Sequence, residues 1–253
     1  MIRSKVLPLI LLCLFFANCE TQKHEFPIDK RYWDTDDYEK VVLELNYGYE
    51  ADEALPSFND PETRIIVEKL TDQQNFNVVL ADEELGLDYR NDQAEKFFKA
   101  WKGMADIYNA KDRRDKYIND IENVMVWHFG IALQLKYFKL GNDHIKENAD
   151  DPDSSRPQRR IRSNIQTLIS NFLIYLDKVN EEASFSDKGK EKLAEGIDKH
   201  FTALVELYPD ADYSDMRRKA DLLKKKSKSE SIKTSLDNLI KLIDSKKETT
   251  KQN

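Results

Sequence analysis

Hydrophobic positions recur at helical spacing over most of the chain beyond residue 90. From Asp92, apolar side chains return every three or four residues, as they do on one face of an amphipathic helix: Phe97, Trp101, Met104 and Tyr108. The same repeat predicts four further helices, over residues 157–181, 186–209, 214–226 and 229–246. Short polar connectors separate these segments, so a bundle of packed helices is expected.

The segment from Asn119 to Leu140 differs from the others because it is apolar on two faces. One face has Ile121, Val124, His128, Ile131, Leu135 and Phe138, and the other has Phe129, Leu133, Tyr137 and Leu140. A helix that is apolar nearly all round is typical of the centre of a bundle. Asn119 and Glu122 have the spacing of a capping box, and Gly141 followed by Asn142 predicts the end of the helix.

The pattern is less regular before residue 90. Thr35 can cap a helix that buries Tyr38, Val41, Val42 and Leu45, although alternate residues from Leu43 to Tyr49 also fit a strand; the helix is favoured. Pro61 predicts a helix start, and residues 76–80 fit either a short strand or a helical turn. With only seven glycines and few alternating stretches, the sequence predicts an all-α, multi-helix bundle with a less regular N-terminal segment.

The first eighteen residues have the composition of a cleaved secretory leader. Arg3 and Lys5 precede an uncharged, apolar run of eleven residues from Val6 to Phe16. A helix of eleven residues is about 16 Å long, roughly half of a bilayer core, and is therefore too short to remain as a membrane span. The leader implies export from the cytoplasm.

The residues Phe16-Ala17-Asn18-Cys19 at the end of this leader resemble the lipobox of bacterial lipoprotein precursors. The resemblance implies cleavage before Cys19, attachment of a diacylglycerol to its thiol, and a place on the envelope membrane. Glu20 differs from the Asp that often retains such proteins at the inner membrane, which favours the outer one. The alternative is an ordinary secreted protein, but Cys13 leaves with the leader and Cys19 would then be a single unpaired thiol.

Charge is unevenly distributed along the mature chain. The whole sequence has a net charge of −7, which becomes −9 once Arg3 and Lys5 are removed. Residues 217–253 contain twelve basic and five acidic residues, so residues 20–216 have a net charge of −16. Such an acidic body weighs against nucleic acid as a partner. We expect a leader (1–18), a lipid-anchored tether (19–34), a helical domain (35–209) and a basic C-terminal helical hairpin (210–253).

Two clusters of basic residues are candidate partner surfaces. The first lies at the start of a predicted helix, where the helix dipole disfavours cations: Arg156, Arg159, Arg160 and Arg162. These arginines either pair with Asp150, Asp151 and Asp153 or bind an anionic partner or a lipid headgroup. The second cluster is in the C-terminal hairpin and either contacts an anionic surface or is simply solvated: Lys224, Lys225, Lys226 and Lys228.

Motifs for catalysis and metal binding are missing from the sequence. None of the four histidines lies three or four residues from another, and there is no nucleophile elbow, phosphate loop or His-Glu-x-x-His motif. His128 fits a core residue better than a ligand or base. We therefore expect no cofactor and a lipid-anchored module that binds a protein or polymer of the envelope. The alternatives are an enzyme acting on cell-wall glycan and a solute-binding lipoprotein.

Overall fold

A computed structural model describes residues 24–114 and 117–252, and the side chains of residues 112–114 and 247–252 are not considered. The predicted leader and Cys19 lie outside the described residues. The described chain contains helices and no strand, which confirms the predicted all-α fold. The helices are α1 (Thr35–Glu50), α2 (Arg64–Leu70), α3 (Gln74–Leu80), α4 (Leu87–Arg114), α5 (Asp120–Glu147), α6 (Ser155–Asp177), α7 (Asp187–Gly196), α8 (Thr202–Leu207), α9 (Ser214–Lys226) and α10 (Glu230–Gln252).

Helix α5 lies between two hydrophobic cores, as its two apolar faces predict. Phe129, Leu133 and Leu140 pack into a first core with α1 to α4, whereas Val124 and Ile131 pack into a second core with α6 to α10. Half-buried Trp127 contacts both cores. The central helix therefore joins the two halves of the bundle.

Tertiary contacts overrule several local signals at the helix ends. The side chain of Asp34, rather than Thr35, caps α1, by accepting from the backbone N–H groups of Asp36 and Asp37. The predicted capping box of α5 does not form, because the Glu122 carboxylate accepts from Ser57 and Phe58 in another loop. In each case the helix begins close to its predicted position, but the predicted side-chain cap does not form.

Helix α5 also continues seven residues beyond its predicted end and reaches Glu147. Gly141, predicted to stop it, has a negative φ and lies in open space. The next residue, Asn142, is buried and bonds to Asn164 of α6 and to the Tyr208 hydroxyl. These contacts offset the cost of about 1 kcal/mol that a glycine imposes on a helix interior.

Residues 24–34 form an N-terminal arm that packs on the first core, so the predicted tether extends too far. Trp33 is fully buried, and its indole N–H donates to the carbonyl of Pro27 at 2.9 Å. The backbone N–H of Trp33 donates to Asn75 of α3. Aromatic burial of this kind is worth several kcal/mol and fixes the arm. Any free tether ends at or before residue 23.

The basic hairpin of residues 210–253 is not a separate unit. Its apolar side chains, including Met216, Leu223, Leu236 and Ile243, belong to the same core as Phe172 of α6. The boundary expected at residue 209 is therefore only a turn between helices. Within the described residues, no helix is long and apolar enough to cross a membrane.

Candidate functional site

The arginine cluster predicted from the sequence lies on the outer surface of α6. Pro157, Leu168 and Phe172 face the core on one side of this helix. At 100° per residue, Arg156, Arg159 and Arg160 share the opposite side. Arg162 lies at the edge of that side and lines a cleft formed with residues 207–212. All four arginines are exposed to solvent.

These four arginines do not pair with the nearby aspartates. Within the part of the chain that the structure describes, no carboxylate oxygen lies within 4 Å of any of the four guanidinium groups. The Asp151 carboxylate instead accepts from the backbone N–H of Asp153 in the preceding turn. The internal ion pairs considered in the sequence analysis are therefore not formed, and the positive charges face solvent.

The composition of α6 strengthens this local field. Asp177, its last residue, is its only acidic residue, although the body of the protein is strongly acidic. Asp177 pairs with Lys219 of α9 at 2.6 Å, far along the helix from the arginines. Several basic side chains elsewhere are paired, such as Arg217 with Asp244 and Lys139 with Asp143. We call the exposed side of α6 that holds Arg156, Arg159, Arg160 and Arg162 the arginine face.

The second predicted cluster, in the turn between α9 and α10, is partly neutralised. Lys224 bonds to Asp237, and together with Lys241 it lowers the pKa of that carboxyl to about 2. Lys225 pairs with Asp221 at 2.6 Å. Lys226 and Lys228 are exposed and, among the described residues, have no carboxylate within 4 Å. Half of the predicted lysine surface is therefore engaged inside the protein.

The two basic clusters lie at opposite ends of α5, so they do not form one surface. His128 of α5 contacts Tyr175 of α6, and Asn142 contacts Asn164, so the two helices are antiparallel. This register places the arginine face beside the C-terminal end of α5. The turn between α9 and α10 contacts Glu182, which follows α6 and lies near the N-terminal end of α5.

The N-terminal arm is fixed near the N-terminal end of α5. His24 donates to Glu44 of α1 at 2.7 Å and to Glu53, just after α1, at 2.8 Å. Hydrogen bonds to Glu44 and Glu53 raise the pKa of His24, against the opposing effect of burial. Lys111, near the end of α4, in turn contacts Asp52 and the carbonyl of Glu53. The start of the arm at His24 and the arginine face therefore lie at opposite ends of the molecule.

A buried polar cluster, not foreseen as a cluster from the sequence, lies in the second core. His128 contacts the Tyr175 hydroxyl at 3.0 Å, and that hydroxyl donates to the carbonyl of Leu193. The ring of His200 lies 5.3 Å from that of His128, between centroids, in a π-helical turn over Ile197–Phe201. His200 Nε2 has no hydrogen-bond partner.

Burial dominates the chemistry of this histidine pair. Desolvation, with a further contribution from Lys199, lowers the pKa of His128 to about 4. Desolvation and the neighbouring His128 lower the pKa of His200 to about 3. Both side chains are almost inaccessible, with exposed fractions of 6% and 2%, so no substrate reaches them in this conformation. The pair is suited to packing and to a response to acid rather than to catalysis.

A cleft of about 690 Å³ lies between the segment after α6, α7 and the turn between α9 and α10. It contains carboxylates, but the Glu182 carboxylate accepts from Ser227 and Lys228, and Asp187 pairs with Lys190 at 3.1 Å. Glu230 pairs with Lys233. Three of the four carboxylates in the cleft are engaged in this way, and Glu191 is the fourth. One unengaged carboxylate is not the free pair that glycoside hydrolysis uses.

Metal binding finds no support in the described residues, where no three histidine, cysteine or carboxylate side chains are grouped as metal ligands. The arginine face is therefore the feature of the described chain that points most directly to a ligand. Comparisons with known protein families, with curated proteins and with solved structures gave no match.

Proposed function

We propose that this protein is a lipid-anchored component of the bacterial cell envelope whose helical domain binds an anionic macromolecule through the arginine face. The anchor is a lipid on Cys19, as the likeness of residues 16–19 to a lipobox implies. The outer membrane is the proposed location. The domain acts as a binding module and not as an enzyme.

One observation carries the binding role: four exposed arginines share a helix end without a carboxylate partner, in a body whose net charge is −16. The positive end of the α6 dipole disfavours a cation in the first turn, where Arg156 lies, by a few tenths of a kcal/mol, and the four like charges also repel one another. An internal ion pair would offset that cost, and the acidic residues of the preceding turn do not provide one. An anionic partner would provide it.

Guanidinium groups suit phosphate and carboxylate partners in particular. The planar fork of arginine donates two parallel hydrogen bonds to either group, and it remains charged throughout the physiological pH range. Four such side chains on two turns of helix fit a polymer with repeated anionic groups. A single small anion would engage only one or two of them.

Replacing all four arginines by serine should weaken binding to a phosphate polymer at least about tenfold. An exposed charge contact in the middle of the usual range contributes about 0.5 kcal/mol, so four contribute about 2 kcal/mol, and 1.4 kcal/mol corresponds to a factor of ten. Binding of the purified full mature protein to long-chain polyphosphate, measured by fluorescence anisotropy at several salt concentrations, tests this expectation.

The matched control replaces Lys224, Lys225, Lys226 and Lys228 by serine, which removes the same number of charges. This variant should bind within about threefold of the natural protein, because two of its lysines are already paired inside the domain. Equal losses in the two variants would indicate a response to net charge alone. That result would remove the arginine face as a specific surface.

A further inference from the structure

His24, where the arm begins, and the arginine face lie at opposite ends of the bundle, and this separation defines what the arginine face can reach. The arm contacts Glu53 beside Lys111 of α4. Trp101, ten residues earlier in α4, already lies beside Val126 of α5, so Lys111 is level with the start of α5. The antiparallel α6 places Arg160 level with about residue 145 of α5. At about 1.5 Å per residue, the two sites are roughly 35 Å apart along α5.

The two sites also lie on different halves of the molecule. The arm packs through Trp33 and half-buried Phe26 on the first core, whereas α6 belongs to the second core. Helix α5 separates the two cores. A line from the arm to the arginine face therefore crosses the bundle diagonally.

The chain that joins Cys19 to the arm is short. His24 follows Cys19 by five residues, which span at most about 18 Å when fully extended. The length of α5 alone, 28 residues, is about 42 Å. A connection this short holds the start of the arm close to the membrane, and with α5 upright on the membrane it leaves the arginine face tens of ångströms from the bilayer.

We infer that the arginine face binds an anionic polymer held away from the membrane that anchors the protein, and not the headgroups of that membrane. This inference rests on the proposed lipid anchor at Cys19. The partner carries repeated phosphate or carboxylate groups and lies tens of ångströms from the bilayer. The helical domain then acts as a rigid spacer between a membrane and a second anionic layer of the envelope.

The side chains exposed at the arm end, the end of the bundle where His24 lies, are consistent with this orientation. Lys226 and Lys228 lie there, exposed and without an internal carboxylate partner among the described residues. Tyr117 and Ile118 lie at the same end, with exposed fractions of 43% and 47%, and Tyr117 donates to the carbonyl of Ala183. Amphipathic aromatic and lysine side chains are well tolerated next to lipid headgroups.

The orientation can be measured with a single fluorescent label on the lipidated protein. A lipid on Cys19 blocks its thiol, and Cys13 is removed with the leader, so an introduced cysteine is the only free thiol. Ser163→Cys places a dye beside the arginine face, and Lys228→Cys places one at the arm end. Both positions are exposed. Energy transfer to an acceptor lipid is measured in phosphatidylcholine vesicles with and without phosphatidylglycerol.

The dye at residue 228 should transfer energy strongly and the dye at residue 163 weakly, with little change when phosphatidylglycerol is added. In the same vesicles the protein should capture polyphosphate, and the variant with all four arginines replaced by serine should lose at least tenfold in capture. Strong energy transfer from the dye at residue 163, increased by phosphatidylglycerol and abolished by replacing the four arginines, would show that the arginine face binds the anchoring membrane. That result would overturn the inference.

Failures of the underlying proposal give different results. A protein that does not enter vesicles because Cys19 has no lipid would refute the anchor. A wild-type protein that enters vesicles in the expected orientation but captures no polyphosphate would refute the binding role of the arginine face. Each result differs from a reversed orientation.

Discussion

Gly130→Ala should destabilise the protein by about 3 kcal/mol, the upper part of the range for overpacked cores. A Cβ atom at residue 130 would lie 2.0 Å from Cε2 and 2.1 Å from Nε1 of Trp101. The indole cannot easily move aside, because its N–H donates to the carbonyl of Val126 at 2.9 Å and its ring packs edge-on against Trp127. Urea unfolding followed by circular dichroism measures the change.

Gly141→Ala provides the control in the same helix. A Cβ atom at residue 141 meets nothing within 4 Å, so alanine should stabilise α5 by up to about 1 kcal/mol through its better helix propensity. The two substitutions therefore have opposite signs although they are chemically identical. If Gly130→Ala proved as harmless as Gly141→Ala, the close packing of α4 on α5 would be wrong.

The second large effect is a loss of stability in mild acid, caused by His128 and His200. Both histidines are neutral in the folded protein, with pKa values lowered to about 4 and about 3, whereas in the unfolded chain they titrate near 6.5. The unfolded state therefore binds more protons below pH 6.5. The stabilising contribution is complete above pH 6.5 and is lost as the pH falls towards 4.

The free energy of unfolding should fall by about 2 kcal/mol between pH 6 and pH 5, since each fully coupled proton contributes about 1.4 kcal/mol per pH unit. The raised pKa of His24 affects stability in a different pH range. Its stabilising contribution is complete below pH 6.5 and is lost as the pH rises above that value. Urea unfolding at a series of pH values measures both slopes.

His200→Leu should halve the slope in acid and leave stability at pH 7 unchanged or higher. Its Nε2 atom is buried without a partner, so removing the imidazole leaves no polar group unsatisfied. The half-buried His144, which contacts Asp88 outside this cluster, provides the control substitution His144→Gln. An acid slope that survives the loss of both His128 and His200 would assign it to other groups.

The sequence predicted those parts of the fold that depend on local spacing. The two apolar faces of α5 predicted its central position, and α9 has its predicted bounds from Ser214 to Lys226. The helix predicted from residue 186 begins there, because the Ser186 side chain caps α7 by accepting from the backbone N–H of Gly189. Each signal lies within a few residues of the feature it predicts. Helix propensity and capping act over that range.

Features that depend on distant residues could not be predicted in the same way. His128 and His200 are 72 positions apart and meet only through the packing of α5 on the π-helical turn. The Glu122 carboxylate accepts from Ser57 and Phe58 rather than from the first turn of its own helix, and this contact also exists only in the folded bundle. The sequence predicted the four arginines as a candidate surface. Their lack of internal partners and their distance from the start of the arm are known only from the tertiary structure.

The central claim is that a lipid on Cys19 fastens this domain to an envelope membrane. Mass spectrometry of the protein purified from the membranes of its native cell, digested with trypsin, tests it directly. The claim predicts an N-terminal peptide that begins at Cys19 and exceeds its amino-acid mass by a diacylglycerol, with or without one further acyl chain. A mature protein that retains residues 1–18, or that begins elsewhere with an unmodified Cys19, would contradict the claim.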